Sequence, residues 1–99
     1  MSYTLIFNTD AENEFISAYT WYEEQQKGLG ERFEKETEKQ LEKIRTNPLF
    51  YHISKGNYRE LSIDHFPFTI VYVVNKKNKT IYISSVFHTS RNPKGKYRK

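Results

Sequence analysis

The residues best suited to chemistry lie together near the C-terminal end of the sequence. From His88 to Lys99 the chain carries histidine, tyrosine, arginine and lysine side chains and no aspartate or glutamate. Histidine titrates near neutral pH and suits proton transfer, whereas arginine and lysine bind phosphates and tyrosine stacks on bases. We therefore expect the catalytic or binding site in this segment, although a basic terminus often serves only as a solvated end. The residues concerned are His88, Arg91, Lys94, Lys96, Tyr97 and Arg98.

Charge is distributed unevenly along the 99 residues, whose formal net charge is +4. The acids concentrate between Asp10 and Glu42, and lysine and arginine predominate after Ile53. A cationic surface favours an anionic partner, either nucleic acid or an acidic segment of another protein. A chain of this length is enough for one core. We expect a single domain, 1–99, that ends in a basic tail, 88–99.

Several kinds of site are excluded by composition. The chain has no cysteine, which rules out disulfide bonds and thiolate metal sites. His52, His65 and His88 lack the spacing of metal ligands, so we expect neither a metal nor another cofactor. No apolar run reaches the roughly 20 residues that a membrane span needs, and the N-terminus lacks the pattern of a signal peptide. These features indicate a soluble cytoplasmic protein that does not bind membranes.

Two apolar segments position the candidate residues, because His88 directly follows the second of them. Phe68 to Val74 and Thr80 to Phe87 are rich in β-branched and aromatic residues and flank a polar connection, a pattern typical of an antiparallel hairpin. In the first segment both faces are apolar, which predicts a strand at the centre of a sheet. The alternation from Tyr58 to Ile63 predicts a further strand, which carries Arg59.

The N-terminal half of the chain predicts one strand and two helices. Tyr3 to Phe7 alternates as a strand, and a capping box that starts at Thr9 predicts the beginning of a helix. Trp21 lies off the apolar stripe of this helix. A short joint at Gly28-Leu29-Gly30 separates it from a second helix that ends at Asn47-Pro48. The order β-α-α-β-β-β predicts an α+β fold.

Short motifs mark the boundaries of these elements. They are Ala11, Trp21-Tyr22-Glu23, Gly28-Leu29-Gly30 with Phe33, Asn47-Pro48, Tyr58-Arg59, Phe66-Pro67-Phe68 with Ile70 and Tyr72, and His88 with Arg91 and Pro93. In this order they resemble the RelE/ParE superfamily, toxins of bacterial type II toxin–antitoxin modules that are sometimes labelled plasmid-stabilisation proteins. The resemblance implies a curved antiparallel sheet with the N-terminal helical hairpin packed on one face. It also implies a cognate antitoxin that holds the toxin inactive.

The resemblance leaves two activities open. RelE-like members enter the ribosome and cleave mRNA without a metal, whereas ParE-like members act on DNA gyrase and are not nucleases. RelE-like nucleases resemble one another in an aromatic-arginine pair where this chain has Phe68-Thr69, and in a basic residue where it has Thr89. The ending from His88 to Pro93 looks more like that of ParE. We therefore expect a gyrase inhibitor, with a ribosome-dependent mRNA endoribonuclease and a harmless antitoxin-binding protein as alternatives.

Different residues would serve these alternatives. A RelE-like nuclease needs a general base, a general acid and cations around the phosphate. In this chain the catalytic roles would fall to His88, Arg59, Arg91 and Tyr97, and in either branch Arg91, Lys94, Lys96 and Arg98 would bind the target. His88 could instead make a structural hydrogen bond at its strand end, and Arg59 could instead pair with Glu60 or Asp64. We also expect the tail after Pro93 to supply target affinity rather than stability.

Overall fold

The computed structural model describes residues 3–91 and 96–98. The strands are β1 (Thr4–Phe7), β2 (Ile53–Lys55), β3 (Tyr58–Ser62), β4 (Phe68–Asn75) and β5 (Thr80–His88), and the helices are α1 (Thr9–Gln25) and α2 (Leu29–Thr46). The predicted α+β class and order of elements are confirmed, with one short strand more than expected. Within the described residues no helix is both long enough and apolar enough to span a membrane.

The five strands form one sheet in the order β1-β5-β4-β3-β2. From β2 to β5 each neighbouring pair is antiparallel, as expected, and β4 and β5 form the central hairpin. The sheet is nevertheless mixed, because β1 runs parallel to β5, with Leu5 opposite Ile81 and Phe7 opposite Ile83. Alternation of apolar residues marks the inward face of a strand in either direction, so the sequence pattern left the direction of β1 undetermined.

β2 lies between Pro48 and Tyr58, where no strand was predicted from the sequence. It has three residues, and its pairing with β3 changes register between Ile53 and Lys55. A strand this short offers no alternation long enough to distinguish it from a loop. It extends the sheet by one short edge strand beyond β3.

Polar side chains cap the first turn of each helix. Asn8 is the N-cap of α1 and its side chain accepts a 2.7 Å hydrogen bond from the amide two residues further on, so the expected cap at Thr9 is wrong by one residue. Both residue types suit the position, and it is Asn8 that has the extended backbone which the position requires. Between the helices, Glu23 accepts 2.9 Å hydrogen bonds from the amides of Gly28 and Gly30, which joins the end of α1 to the start of α2.

The helical hairpin packs on one face of the sheet and encloses the core. Aromatic rings join both helices to the start of β4: the Phe33 ring centroid lies 5.3 Å from that of Tyr22 and 5.2 Å from those of Phe66 and Phe68. Burial of one such side chain contributes about 1.5–3 kcal/mol, so this cluster holds both helices against the start of β4. The buried core comprises Ala11, Ala18, Phe33, Ile44, Ile63, Phe68, Ile70, Tyr72, Ile81, Ile83 and Val86.

The opposite side of the sheet, which we call the outer face, is partly covered by the end of the chain. Residues 96–98, which we call the C-terminal strap, contact both β3 and β5. The ring of Tyr97 lies edge-on to that of Tyr58 with centroids 5.0 Å apart, and the Lys96 ammonium lies 5.4 Å from the centroid of the Phe87 ring. The strap therefore packs on the folded sheet. This structural role of the tail was not predicted from the sequence.

Candidate functional site

A groove of about 690 Å³ lies between α1 and the end of β5. We call it the Arg91 groove. Its lining combines apolar rings, guanidinium groups, carboxylates and neutral polar groups, which are supplied by Trp21, Phe68, Arg91, Arg98, Asp10, Glu14, Asn13 and Ser17. A concave site that mixes apolar walls with a few charged groups is typical of a ligand or protein contact.

The groove exists because β5 runs past the strand beside it. β1 pairs with β5 only as far as Ile83, while β5 continues to His88. A register shift opposite Val71 and Tyr72 places a bulge at Ser84, and a bulge of this kind bends the strand locally. Along the edge that β1 leaves open, Glu14 of α1 accepts hydrogen bonds of 2.9 Å from the Ser85 hydroxyl and 3.0 Å from the Val86 amide.

His88 ends β5 and lies at one side of the groove. Its ring packs edge-on against Phe68, with centroids 4.9 Å apart. The Ser90 amide donates to Nδ1 at 3.1 Å, and the Ser90 hydroxyl lies 2.7 Å from the same atom. Because Nδ1 accepts from a backbone N–H, the neutral ring carries its proton on Nε2. His88 thus makes the structural hydrogen bond that the sequence analysis held as the alternative to a catalytic role.

Arg91 follows this turn and is exposed on the groove wall. Its amide donates a 3.0 Å hydrogen bond to the His88 carbonyl, which fixes the backbone at this point. Within residues 3–91 and 96–98, no carboxylate forms an ion pair with the Arg91 guanidinium. Across the groove, the indole of Trp21 is 56% exposed. A guanidinium that forms no ion pair among the described residues, in one groove with an exposed indole, suits a partner that offers carboxylate or phosphate groups and a flat or aliphatic side chain.

Arg98 reaches the same groove from the C-terminal strap, but its donors are occupied. Its guanidinium binds both Glu14 oxygens, at 2.9 and 3.2 Å, and lies 3.5 Å from an Asp10 oxygen. It also donates 3.0 Å to the Ser84 carbonyl, and the Arg98 amide donates 2.6 Å to the Ser84 hydroxyl. The hydrogen bonds with Glu14 raise the pKa of Arg98 above its ordinary value, and the negative charge of Glu14 adds to this effect. This arginine therefore anchors the strap to α1 and β5.

The other two strap residues lie on the outer face and share one carboxylate. The Lys96 ammonium and the Tyr97 hydroxyl are each 3.0 Å from Oε2 of Glu60. Desolvation alone would raise the pKa of Glu60, but hydrogen bonds from Ser54, Lys96 and Tyr97 outweigh it and hold the pKa below its ordinary value. The Glu60 carboxylate is thus a shared partner of the Lys96 ammonium and the Tyr97 hydroxyl.

Arg59 makes a structural contact, but a different one from the ion pair predicted for it. Its Nη1 donates to the carbonyl oxygens of Tyr51, at 2.8 Å, and Leu49, at 3.2 Å. The expected pairing with Glu60 or Asp64 is wrong, because Glu60 binds the strap and Asp64 lies 3.5 Å from Lys39. Backbone carbonyls are acceptors that no sequence pattern identifies, which is why this contact was missed.

The structure separates the residues that a nuclease would need together. His88 lies opposite Phe68 on β4, whereas Arg59 lies opposite Tyr72, four residues further along, which is roughly 13 Å at about 3.3 Å per residue. Tyr97 is on the outer face, with Glu60. The structure thus brings together only His88, Arg91 and Arg98 of the predicted residues, while Lys94 lies outside the described residues. Among the described residues, no cluster of three or more histidine or carboxylate side chains is placed to hold a metal ion.

Two residues of the groove were not predicted as functional. Trp21 left a signal in the sequence, because a tryptophan off the apolar stripe of a helix must face solvent or a partner. Glu14 left none, since its partners Ser85, Val86 and Arg98 are more than 70 residues away along the chain.

Comparison with known proteins gives a family and two similar folds. A family model described as the ParE toxin of type II toxin-antitoxin system, parDE, matches residues 5–93. A chain of the chromosomal ParDE TA system from P. aeruginosa is 16% identical with a TM-score of 0.75, over 90% of this chain and 98% of that one. A mutant of the E. coli toxin RelE in the free state is 17% identical with a TM-score of 0.69, over 91% of this chain and 86% of that one. No curated protein sequence matches the chain.

Proposed function

Because the chain belongs to the ParE toxin family of type II toxin–antitoxin systems, we propose that it inhibits DNA gyrase by binding and that a cognate antitoxin neutralises it. The family match over residues 5–93 is the observation that carries this proposal. It includes both helices, all of the sheet except the first residue of β1, and the groove residues from Asp10 to Arg91.

The target contact proposed here is the Arg91 groove. Inhibition by binding requires a preformed surface and no set of reacting groups, and the groove supplies such a surface. Of its two arginines, Arg91 is held by the turn after His88 and forms no ion pair with a carboxylate of the described residues. Lys96 and Arg98 are bound to Glu60 and Glu14, so we assign them to holding the strap and assign Arg91 to the target. Lys94 stays a predicted contact of the tail.

One observation favours mRNA cleavage as a second candidate. The Tyr97 hydroxyl and the Lys96 ammonium each lie 3.0 Å from the Glu60 carboxylate, and a carboxylate, a phenol and an ammonium are groups that acid–base cleavage of RNA employs. Two features weaken this candidate. The lowered pKa makes the Glu60 carboxylate a poorer base, and its partners would have to leave it before they could hold a phosphate. Thr69, in place of an arginine, is buried and uncharged.

The test is a supercoiling reaction with purified gyrase, relaxed plasmid and ATP, to which the purified protein is added. We expect supercoiling to fall with increasing protein and cleaved DNA to accumulate. A parallel cell-free translation reaction, with RNA ends mapped in the presence and absence of ribosomes, should leave the mRNA intact. If gyrase is unimpaired and the mRNA is cut in phase with its codons, the function is RNA cleavage instead. Unimpaired gyrase with intact mRNA, and normal growth when the gene is induced alone, would indicate a harmless antitoxin-binding protein.

A further inference from the structure

The turn of the β4–β5 hairpin carries three lysines. They are Lys76, Lys77 and Lys79, which lie between the end of β4 and the start of β5 and are all exposed. Within residues 3–91 and 96–98, no carboxylate forms an ion pair with any of them. From His65 to Lys99 the sequence contains no aspartate or glutamate. We call Lys76, Lys77 and Lys79 the cationic turn.

The backbone of the cationic turn is unfavourable for a lysine at one position. Lys79 has a φ of 55°, in the left-handed region that glycine and asparagine adopt more readily than lysine. The turn itself is closed by a 3.0 Å hydrogen bond from the Asn78 amide to the Asn75 side chain, in which the lysine takes no part. Sparsely populated backbone conformations are concentrated at functional sites. The lysine at this position therefore indicates a use for its charge.

The start of β1 joins the cationic turn to the end of α2. The Thr4 amide donates 3.0 Å to the Lys79 carbonyl, and the Tyr3 amide donates 3.4 Å to the Arg45 carbonyl. The last turn of α2, which carries Lys43 and Arg45, therefore lies beside the cationic turn. Arg45 pairs with an acid of its own helix, whereas Lys43 is exposed and has no ion pair among the described residues. Positive charge thus continues from the hairpin onto the helix.

The composition of this surface selects phosphate as its partner group. None of the large apolar side chains that are exposed in the described part of the chain lies in the cationic turn. A protein interface has an apolar centre, whereas contacts with a nucleic-acid backbone are made by lysine and arginine without one. We propose that the cationic turn binds the phosphate backbone of the DNA on which gyrase acts. The choice of DNA rests on the proposed function, because gyrase supplies the duplex.

The cationic turn and the Arg91 groove lie at opposite ends of β5. This strand runs from Thr80 to His88, which is roughly 26 Å at about 3.3 Å per residue. The two surfaces can therefore be occupied at the same time, the groove by gyrase and the turn by DNA. Because two linked contacts bind more tightly than either one alone, the protein should favour gyrase that holds DNA over gyrase without it.

The first experiment measures binding of the purified protein to a short, fluorescently labelled DNA duplex, by anisotropy, between about 50 and 200 mM salt. The test variant combines Lys76→Gln, Lys77→Gln and Lys79→Gln. We expect its Kd to be at least tenfold higher than that of the wild type. The slope of log K against log salt should fall by about 2–3, since each phosphate contact contributes about 0.9.

A matched control removes the same charge elsewhere. It replaces three exposed cations of the helical hairpin by glutamine, namely Lys27, Arg32 and Lys35. Its Kd for the duplex should stay within threefold of the wild type, and both triple variants should melt like the wild type. Equal losses of affinity in the two triple variants would assign the binding to net charge and overturn the proposal.

Lys79→Asn separates a structural use of the lysine from a binding one. Asparagine tolerates the left-handed backbone, but it cannot reproduce the contact of the Lys79 ammonium, which lies 5.3 Å from the centroid of the Tyr3 ring. We expect a melting temperature no lower than that of the wild type and a Kd for the duplex at least threefold higher. A lower melting temperature with an unchanged Kd would show that the lysine serves the Tyr3 contact, and would overturn the proposal.

Other results would identify a different partner or none. A wild type without affinity for the duplex at about 50 mM salt contradicts the proposal. A wild type that binds labelled polyglutamate more tightly than the duplex would identify an acidic protein as the partner instead.

The duplex assay contains no gyrase, so this proposal and the proposed function can fail separately. In the supercoiling reaction, the concentration of the test variant for half-inhibition should be at least threefold higher than that of the wild type. An unchanged concentration despite lost duplex binding would overturn the DNA contact in the gyrase complex. A wild type that binds the duplex through the cationic turn but spares gyrase would remove the proposed target and leave the DNA-binding surface in place.

Discussion

Glu14 takes the place of a strand neighbour where β5 extends beyond β1. One of its oxygens accepts from the Val86 amide and the Ser85 hydroxyl, and both oxygens bind Arg98. A carboxylate on a helix thus completes the hydrogen bonding of a sheet edge and at the same time holds the C-terminal strap. Hydrogen bonds to charged, partly buried groups are among the stronger polar contacts, at about 1.5–3 kcal/mol.

Replacement of Arg98 should therefore lower the free energy of unfolding more than replacement of a surface arginine. We expect Arg98→Ala to lower the free energy of unfolding by about 1.5–3 kcal/mol. The matched control is Arg45→Ala, which removes an exposed pair with Glu42 and should change stability by at most about 0.5 kcal/mol. Urea unfolding measures both. Equal losses for the two variants would mean that the strap contacts contribute no more than a surface ion pair.

Glu60 predicts a pH dependence. Its pKa is lowered in the folded protein, so its ionised form stabilises the fold above the ordinary glutamate pKa of about 4.3, and this stabilisation is lost as pH falls below that value. The wild type should therefore be more stable than Glu60→Gln at pH 7, and the difference should shrink steadily on acidification to pH 3. Urea unfolding at several pH values tests this. A difference that is constant, or that grows in acid, contradicts the assigned network.

At the scale of elements, two helices approach closely at the joint between them. A Cβ on Gly30 would lie 2.7 Å from the Tyr19 carbonyl oxygen and 2.9 Å from a Glu23 oxygen, which is too close for either contact. The glycine is thus required by the crossing of α1 and α2 and by the cap that Glu23 forms.

Gly30→Ala should destabilise the protein by about 1–3 kcal/mol, the usual cost of overpacking. Gly56→Asn is the control: its φ of 55° is one that asparagine tolerates, and a Cβ there meets nothing within 4 Å. We expect a much smaller change for it. Thermal melts of both variants provide the measurement, and a Gly30→Ala protein as stable as the wild type would show that the helices can separate at no cost.

The C-terminal strap leads to a prediction opposite to the one drawn from sequence. A chain that ends at Asn92 loses the contacts of Lys96, Tyr97 and Arg98 with Glu60, Ser84 and Glu14. In a protein of this size each 1 kcal/mol shifts the melting temperature by roughly 4–8 °C, so we expect a fall of about 10 °C or more. A truncated protein with the same melting temperature as the full chain would instead support the prediction that the tail supplies target affinity and no stability.

For the whole molecule, the sequence predicted what local periodicity encodes. The order of helices and strands, the β4–β5 hairpin and the joint at Gly28 follow from patterns within about ten residues and are found in the structure. The direction of β1, the edge strand β2 and the strap depend on contacts between distant parts of the chain, which leave no local pattern. The same holds for Arg59, whose partners are backbone carbonyls.

The candidate site was predictable only in part, for the same reason. Composition pointed to the segment after β5, and Arg91 and His88 do line a groove there. Its other wall comes from α1. Of the other described candidates, Arg98 reaches the groove, Lys96 and Tyr97 lie on the outer face, and Arg59 on β3 binds the segment before β2. That division, together with the family match, favours a binding surface over an RNA-cleaving centre.

The most direct test of this account compares two arginine variants in the gyrase supercoiling reaction. Arg91→Ala removes the cation of the groove, and Arg32→Ala removes an exposed arginine of α2 that lies outside it. We predict that the concentration for half-inhibition rises at least tenfold for Arg91→Ala and stays within twofold for Arg32→Ala, with both variants melting like the wild type. A folded Arg91→Ala protein that inhibits as well as the wild type would contradict the assignment of the groove. A wild-type protein without effect on gyrase would contradict the proposed target itself.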